Sequence, residues 1–231
     1  MSGTSRQQSG RVTTPSLIIF DCDGVLVDSE AISNGMLAQM LAEQGLELTL
    51  AESRARFQGH LLAEIVGISE ALLGRPLPEG WIEEYVERRA AVFDAKLRPV
   101  AGAAELVERV RSSGVPSCVA SQGSLAKTAR SLALTGLAGY FAEDVRFSAE
   151  QVPRGKPHPD LFLHAAATLG VAPGECAVVE DTPSGVAAAV SAGMAVYGFC
   201  ADSDERALRS AGAVTAPTLA QIGELLLAEA G

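Results

Sequence analysis

The chain has 231 residues and a formal net charge of −10, which excludes a surface built for nucleic acid or an anionic membrane, because those partners need basic patches. Its 48% apolar content can bury a substantial core, and no continuous apolar run is long enough to span a bilayer. Residues 1–16 are rich in Ser, Gln, Gly and Thr without an apolar centre, so they read as a flexible tail and not a secretory signal; the expected location is cytoplasmic.

The first predicted element is the apolar run Leu17-Ile18-Ile19-Phe20, a short buried strand of a parallel sheet. Asp21 and Asp23 follow it, and Gly24 lets the chain turn away at once. Carboxylates two residues apart at a strand end project into the crevice where open α/β sheets bind ligands. Such a pair can divide labour, Asp21 attacking and Asp23 moving a proton. A calcium loop needs further oxygen ligands at two-residue intervals, and Val25, Leu26 and Val27 stand there instead. A plain surface turn does not account for apolar residues on both sides. Cys22, between two acids that disfavour its thiolate, is rejected as a nucleophile.

Helices are predicted over 31–44, where Met36, Leu37, Met40 and Leu41 recur at helical spacing, and over 50–57, 61–73 and 81–93. No strand pattern occurs between Ser29 and Leu97, so residues 31–98 read as an all-helical insert. From Pro99 the pattern alternates: helix 103–112, strand 116–120, helix 125–134, strand 145–147, helix 160–169, strand 176–179, helix 184–192, strand 194–199 and a closing helix 218–230. The expected fold is α/β, a doubly wound parallel sheet built from 17–30 and 99–231, with an inserted all-helical cap domain over 31–98. Cys22, Cys118, Cys176 and Cys200 lack metal-site spacing and read as free thiols, the last three buried in apolar runs.

Three further sites follow predicted strands. Ser121-Gln122-Gly123-Ser124 offers a hydroxyl and free backbone N–H groups to an anion, or is an ordinary helix cap. Lys156, one of three lysines, stands in the stiff frame Gly155-Lys156-Pro157-His158-Pro159-Asp160; it is a fixed ammonium for a phosphoryl group or a surface lysine in a turn. Glu180 and Asp181 end another apolar run. Acids facing the first pair repel unless a cation joins them, which implies Mg²⁺. A capping role for Asp181 or Thr182 leaves Glu180 unexplained.

The four sites together, in order and placement, resemble the haloacid dehalogenase superfamily of phosphotransferases over residues 17 to about 199. Asp21-x-Asp23-Gly24-Val25-Leu26-Val27-Asp28-Ser29-Glu30 looks like the first motif of its helical-cap subgroup, Ser121 the second, Lys156 the third and Glu180-Asp181 the fourth. The resemblance implies that Asp21 attacks phosphorus to give an aspartyl-phosphate and that Asp23 protonates the leaving oxygen and then activates water. It also implies Mg²⁺ held by the Asp21 carboxylate, the Asp23 main-chain carbonyl and Asp181, with Glu180 direct or through water. Ser121, Gln122 and Gly123 would bind the phosphoryl oxygens and Lys156 would balance charge.

Within the family, Asp23 and the paired acids argue against halide removal, and Lys96 as sole insert lysine argues against phosphonate cleavage. A β-phosphoglucomutase-like isomerase usually carries His where Ser33 stands. The expected activity is therefore that of a Mg²⁺-dependent phosphatase of a small phosphorylated sugar, sugar acid or polyol; the mutase and a catalytically silent binding protein are the alternatives. Arg56-Phe57-Gln58-Gly59-His60 resembles a specificity loop whose Arg56, Gln58 and His60 reach the substrate, or is a solvated helix end. Arg88 and Arg89 read as an exposed face of i,i+4 pairs, His158 as a frame element and His164 as packed. A monomer or weak homo-oligomer is expected.

Overall fold

Leu17–Phe20 form strand β1, fully buried near the middle of a six-stranded sheet in the computed structural model, which describes residues 14–58 and 60–228. The other strands are β2 (Ser117–Ser121), β3 (Arg146–Ser148), β4 (Cys176–Glu180), β5 (Ala195–Phe199) and β6 (Val214–Ala216). Their order is β3-β2-β1-β4-β5-β6, with every neighbouring pair parallel. The order reverses at β1, whose neighbours are β2 and β4. The crevice beyond the carboxyl ends of these three strands is the place where such sheets bind ligands.

The continuous apolar runs follow from cover on both faces. Successive β1 side chains point to opposite sides. Ile18 and Phe20 pack with Leu106, Val107 and Val110 of α5 (Ala103–Ser113) and with Ile222 of α10 (Leu219–Leu226). Leu17 and Ile19 belong to the opposite core, with Phe162 and Ala165 of α7 (Asp160–Thr168) and Val186 and Ala189 of α8 (Pro183–Ser191). Helix α6 (Leu125–Leu134) follows β2, and α9 (Glu205–Ala211) lies between β5 and β6.

Between β1 and α5 stand four helices: α1 (Glu30–Ala42), α2 (Leu50–Phe57), α3 (Leu62–Leu73) and α4 (Trp81–Lys96). They have a core of their own, in which Leu37, Met40 and Leu41 of α1 meet Phe57, Ile65, Trp81 and Tyr85. The chain enters and leaves this block at one place. Val27 and Pro99 form an antiparallel bridge, Asp28 N–H donates to the Arg98 carbonyl at 2.9 Å, and Val100 N–H donates to the Leu26 carbonyl at 3.0 Å.

Helix α9 and strand β6 were not expected from the sequence. Each is short: α9 buries only Leu208, and β6 is the three-residue run Val-Thr-Ala, too little for either periodicity to register. The tail expected over 1–16 falls mainly on residues 1–13, outside those described; Ser16 itself is fixed, its N–H donating to the Glu175 carbonyl at 2.8 Å. The closing helix expected over 218–230 stops at Leu226, and its last two expected positions also lie outside the described residues. All four thiols are free; Cys22, Cys118 and Cys176 are buried, whereas Cys200, expected to be buried, is half-exposed past the end of β5. Among the described residues no helix is long and apolar enough to cross a membrane.

Candidate active site

Register puts the first acid beside the later pair. β1 pairs with β4, and the Asp21 N–H donates to the Val179 carbonyl at 2.9 Å. After Asp21 the chain doubles back in a tight turn: the Leu26 and Val27 N–H groups donate to the Cys22 carbonyl at 2.9 Å, and Gly24 takes φ 84°. Gly24 is required twice over, by that angle and because a β-carbon there would strike the Asp181 carboxylate. Gly185 plays the same part for Glu180, since a side chain at that helix start would displace the Glu180 carboxylate.

Asp21, Glu180 and Asp181 thus offer ligand oxygens all within 4.8 Å of one another, and all three residues are buried. Lys156, 6% exposed, is the counter-charge, with its Nζ 2.5 Å from Asp21 Oδ1 and 2.6 Å from Glu180 Oε1. Burial opposes the ammonium, but the two carboxylates outweigh it and raise its pKa. One ammonium does not balance three acids. Burial, with Glu180 and Asp23 adding repulsion, pushes Asp21 up to about 7 against the pull of Lys156. Burial and repulsion from Glu180, Asp21 and Glu30 push Asp181 well above the ordinary carboxylate range.

Such a cluster fits a hard divalent cation, by its donors and by what they lack. Glu180 Oε2 accepts from the Asp181 N–H at 2.9 Å and from the Thr182 N–H and hydroxyl at 3.0 Å, while its Oε1 faces Lys156. Asp181 Oδ1, by contrast, is buried with no hydrogen-bond partner among the described residues, and Oδ2 has only the Gln58 amide at 3.4 Å. A buried carboxylate oxygen left alone is costly, and a cation removes that cost. Thr182, not Asp181, caps α8 by accepting from the Gly185 N–H at 3.1 Å.

Ser121 ends β2, fully buried, its Oγ accepting from the Gly123 N–H at 3.0 Å. The helix cap here is Ser124, which accepts from the Lys127 N–H at 3.2 Å, so Ser121 is not needed for capping. The Gly123 carbonyl is held by the Ser148 hydroxyl at 2.8 Å. Gln122 has another occupation than the one expected. Its side-chain oxygen accepts from the Lys156 N–H at 3.0 Å and its amide donates to the Lys156 carbonyl at 3.3 Å, so it binds the lysine loop instead of standing free for a ligand. Gly155 is small because a β-carbon there would meet this amide at 2.7 Å.

A cleft of about 710 Å³ opens above these groups, roofed by the helical block. Gln58 and His60 line it. Arg56 does not; it is exposed, because it lies some 200° around α2 from Gln58, whereas Arg54, one turn before Gln58, shares with it a neighbouring cavity of about 340 Å³. Residues 15–193 match the model of the haloacid dehalogenase-like hydrolases. The chain belongs to that family. A 6-phosphogluconate phosphatase of Escherichia coli (strain K12) is 34% identical over 209 residues, 90% of this chain and 93% of the relative. Hexitol phosphatase A of the same organism is 35% identical over 192 residues, covering 80% and 83%. Among solved structures, a putative beta-phosphoglucomutase from Thermotoga maritima aligns with a TM-score of 0.72 at 30% identity, covering 91% of this chain and 96% of that one.

Two cations of this hydrolase were not singled out from sequence. Lys127, in the first turn of α6, reaches back over Gly123 to place its Nζ 2.6 Å from Asp23 Oδ2, and the Ser29 hydroxyl donates to the other Asp23 oxygen. Burial opposes ionisation of Asp23, but the charge and hydrogen bond of Lys127, the Ser29 hydroxyl and the Arg89 charge hold its pKa below the ordinary value. For Lys127, burial and Arg89 oppose the ammonium, and Asp23 outweighs them. A lysine in a helix's first turn opposes the helix dipole, which was the available signal.

Arg89 corrects a second expectation. Arg88 is indeed an i,i+4 partner of Glu84, half-exposed on the outer face, and it also pairs with Glu43 at 2.7 Å. Arg89 is turned into the cleft, its guanidinium carbon 4.9 Å from the Tyr85 ring centroid and 5.7 Å from that of Phe93. The signal was periodic: Trp81, Tyr85, Arg89 and Phe93 recur every four residues, so the arginine occupies a position on the buried stripe of α4. His164 packs edge-on against Phe147 at 5.5 Å, as expected, and His158 is exposed.

Proposed function

We propose that this phosphoric monoester hydrolase releases phosphate from a small phosphorylated sugar, sugar acid or polyol, through an aspartyl-phosphate formed on Asp21. The observation that carries the reading is the convergence of Asp21, Lys156 and the Glu180–Asp181 pair, buried at the ends of β1 and β4 beneath a cleft of about 710 Å³. That volume suits a small phosphorylated carbohydrate.

In the first step an Asp21 oxygen attacks phosphorus and the ester P–O bond breaks; Asp23, ionised at rest, first takes the proton that a phosphate monoester monoanion brings in and then passes it to the departing alkoxide. In the second, Asp23 takes a proton from water, the oxygen attacks phosphorus, and the Asp21 carboxylate and inorganic phosphate are freed. The resting cleft holds Asp23 in the ionised form that the second step uses. Ser121 and the backbone N–H groups of Gln122 and Gly123 hold the phosphoryl oxygens, and Lys156 offsets the charge of Asp21 as it meets an anion. Mg²⁺ would be held by the Asp21 carboxylate, the Asp23 main-chain carbonyl and Asp181, with Glu180 direct or through water. Once bound it would supply positive charge that offsets the negative charge gathered when a carboxylate meets a phosphate ester. Residues 31–98 serve as a cap that excludes bulk water from the core formed by 17–30 and 99–231.

Phosphate release from p-nitrophenyl phosphate and from a panel of sugar, sugar-acid and polyol phosphates, with and without Mg²⁺, tests this. Turnover should require the metal and fall on the order of 10⁴-fold or more in Asp21→Asn. Metal-independent turnover, or turnover that survives the substitution, defeats the reading. The kinship to a putative beta-phosphoglucomutase raises isomerase activity as a second reading. Ser33, which lines the cleft, offers no base to support it, so β-glucose 1-phosphate should give free phosphate and not glucose 6-phosphate.

A further inference from the structure

Most charges that face the cleft have a partner, the exposed Glu150 being an exception among the acids. Asp21 and Glu180 meet Lys156, Asp23 meets Lys127, and Glu30 accepts from the Asn34 amide at 2.9 Å. Arg130, at the cleft wall, pairs with Asp94. Arg89 is different. It lines the cleft half-buried, and among the described residues no carboxylate lies within ion-pair distance of it. Its guanidinium carbon lies over the rings of Tyr85 and Phe93, which are themselves buried.

An unpaired guanidinium in a half-buried, ring-lined wall is poised for a planar anion. The helices that carry Arg89 and Lys127, α4 and α6, pack together and are joined by the Arg130–Asp94 pair, so both cations line the same side of the cleft. Lys127 has three donor protons and is only 18% exposed, so donors remain on it when one faces Asp23. The phosphoryl group needs neither cation, because Ser121, the adjacent backbone N–H groups and Lys156 lie on the floor.

We propose that Arg89, assisted by Lys127, is a second anion subsite that takes the carboxylate of the substrate, so that this hydrolase selects phosphorylated sugar acids over neutral sugar and polyol phosphates. The assignment rests on the phosphatase reading above and narrows it to one substrate class. Arg89 is a specificity-determining residue of the roof and takes no part in the bond that breaks. A neutral terminus in the same place leaves the guanidinium without a partner.

Gluconate 6-phosphate and glucitol 6-phosphate differ at one end, carboxylate against hydroxymethyl, and so isolate the contact. The wild-type kcat/KM should favour the acid by on the order of tenfold to a hundredfold, the worth of one charge-assisted hydrogen-bonded pair. Arg89→Gln should collapse that ratio towards one, chiefly through KM on the acid, and Arg89→Lys should keep part of it. Equal losses on both compounds, no loss on either, or a wild-type preference for the polyol overturns the proposal. So does a stronger preference for a hexose bisphosphate, which would make the second anion a phosphate. Calorimetric affinities of the two compounds read the same ratio without turnover. If neither compound nor p-nitrophenyl phosphate is hydrolysed, the phosphatase reading fails while the affinity ratio still decides the subsite.

Discussion

The floor and the roof of the cleft are built differently. On the floor, Asp21, Ser121 and Glu180 stand at or just past the ends of buried parallel strands, and Lys156 is bound through its own backbone by Gln122. These groups are nine-tenths or more buried and held by ion pairs and backbone hydrogen bonds. On the roof, Gln58, His60 and Arg89 come from helix faces and a loop, are partly or fully exposed, and have at most weak partners. Strand ends in a packed sheet cannot shift without moving their neighbours, so they suit chemistry that tolerates little error. Helix-borne side chains over an open space can be exchanged without disturbing the fold, so they suit selection among substrates.

Breaking the floor has the largest consequence. Lys156→Met leaves the Asp21 and Glu180 carboxylates buried without their counter-ion and should cost about 3–5 kcal/mol of unfolding free energy, read by urea titration, as well as turnover. Asp23→Asn leaves the acid cluster intact and should lower kcat by about 10²–10⁴-fold. That loss should be smaller on p-nitrophenyl phosphate than on an alkyl phosphate, because the aryl leaving group needs no proton.

A gentler test uses pH. In the metal-free protein Asp21 is raised from 3.8 to about 7, so the folded state keeps a proton that the unfolded chain has released. The stability this contributes is fully present below pH 4 and is lost as pH rises through about 7. A cation competes with that proton. The rise in melting temperature on adding Mg²⁺ should therefore be larger at pH 8 than at pH 6, and a rise that is equal or reversed would remove Asp21 from the ligand set. The smallest effect belongs to the roof. Gly35 lies inside α1, and a β-carbon added there would meet nothing within 4 Å. Gly35→Ala should therefore stabilise the protein by about 0.5–1 kcal/mol, measured by thermal melts, with turnover retained.

The same contrast explains what the sequence disclosed. An apolar run closed by acids is legible because a strand covered on both faces can hold a charge only where it ends; Asp21, Asp23, Glu180 and Asp181 were visible for that reason. The helix expected over 50–57 is found at Leu50–Phe57, where the structure closes it with a Thr49–Glu52 capping box and extended backbone at Gln58. Lys127 was not legible, because its role comes from a side chain leaning back along α6 to an acid 104 residues earlier in the chain. Arg56 misled because residues two apart in a short helix face nearly opposite ways, which a linear motif does not convey. Gln122 differs: it lines the cleft, but its amide is committed to the Lys156 backbone.

The pairing of Val27 with Pro99 has a consequence for how such molecules diversify. Seen from the sheet, everything between those residues is one long hairpin loop, whose ends already touch. The entropy of closing a loop grows only logarithmically, by about 0.6 kcal/mol for each doubling of length, so the six strands are nearly indifferent to how much chain is carried there. A roof of another size or shape could be spliced between the same two residues while the floor kept its register.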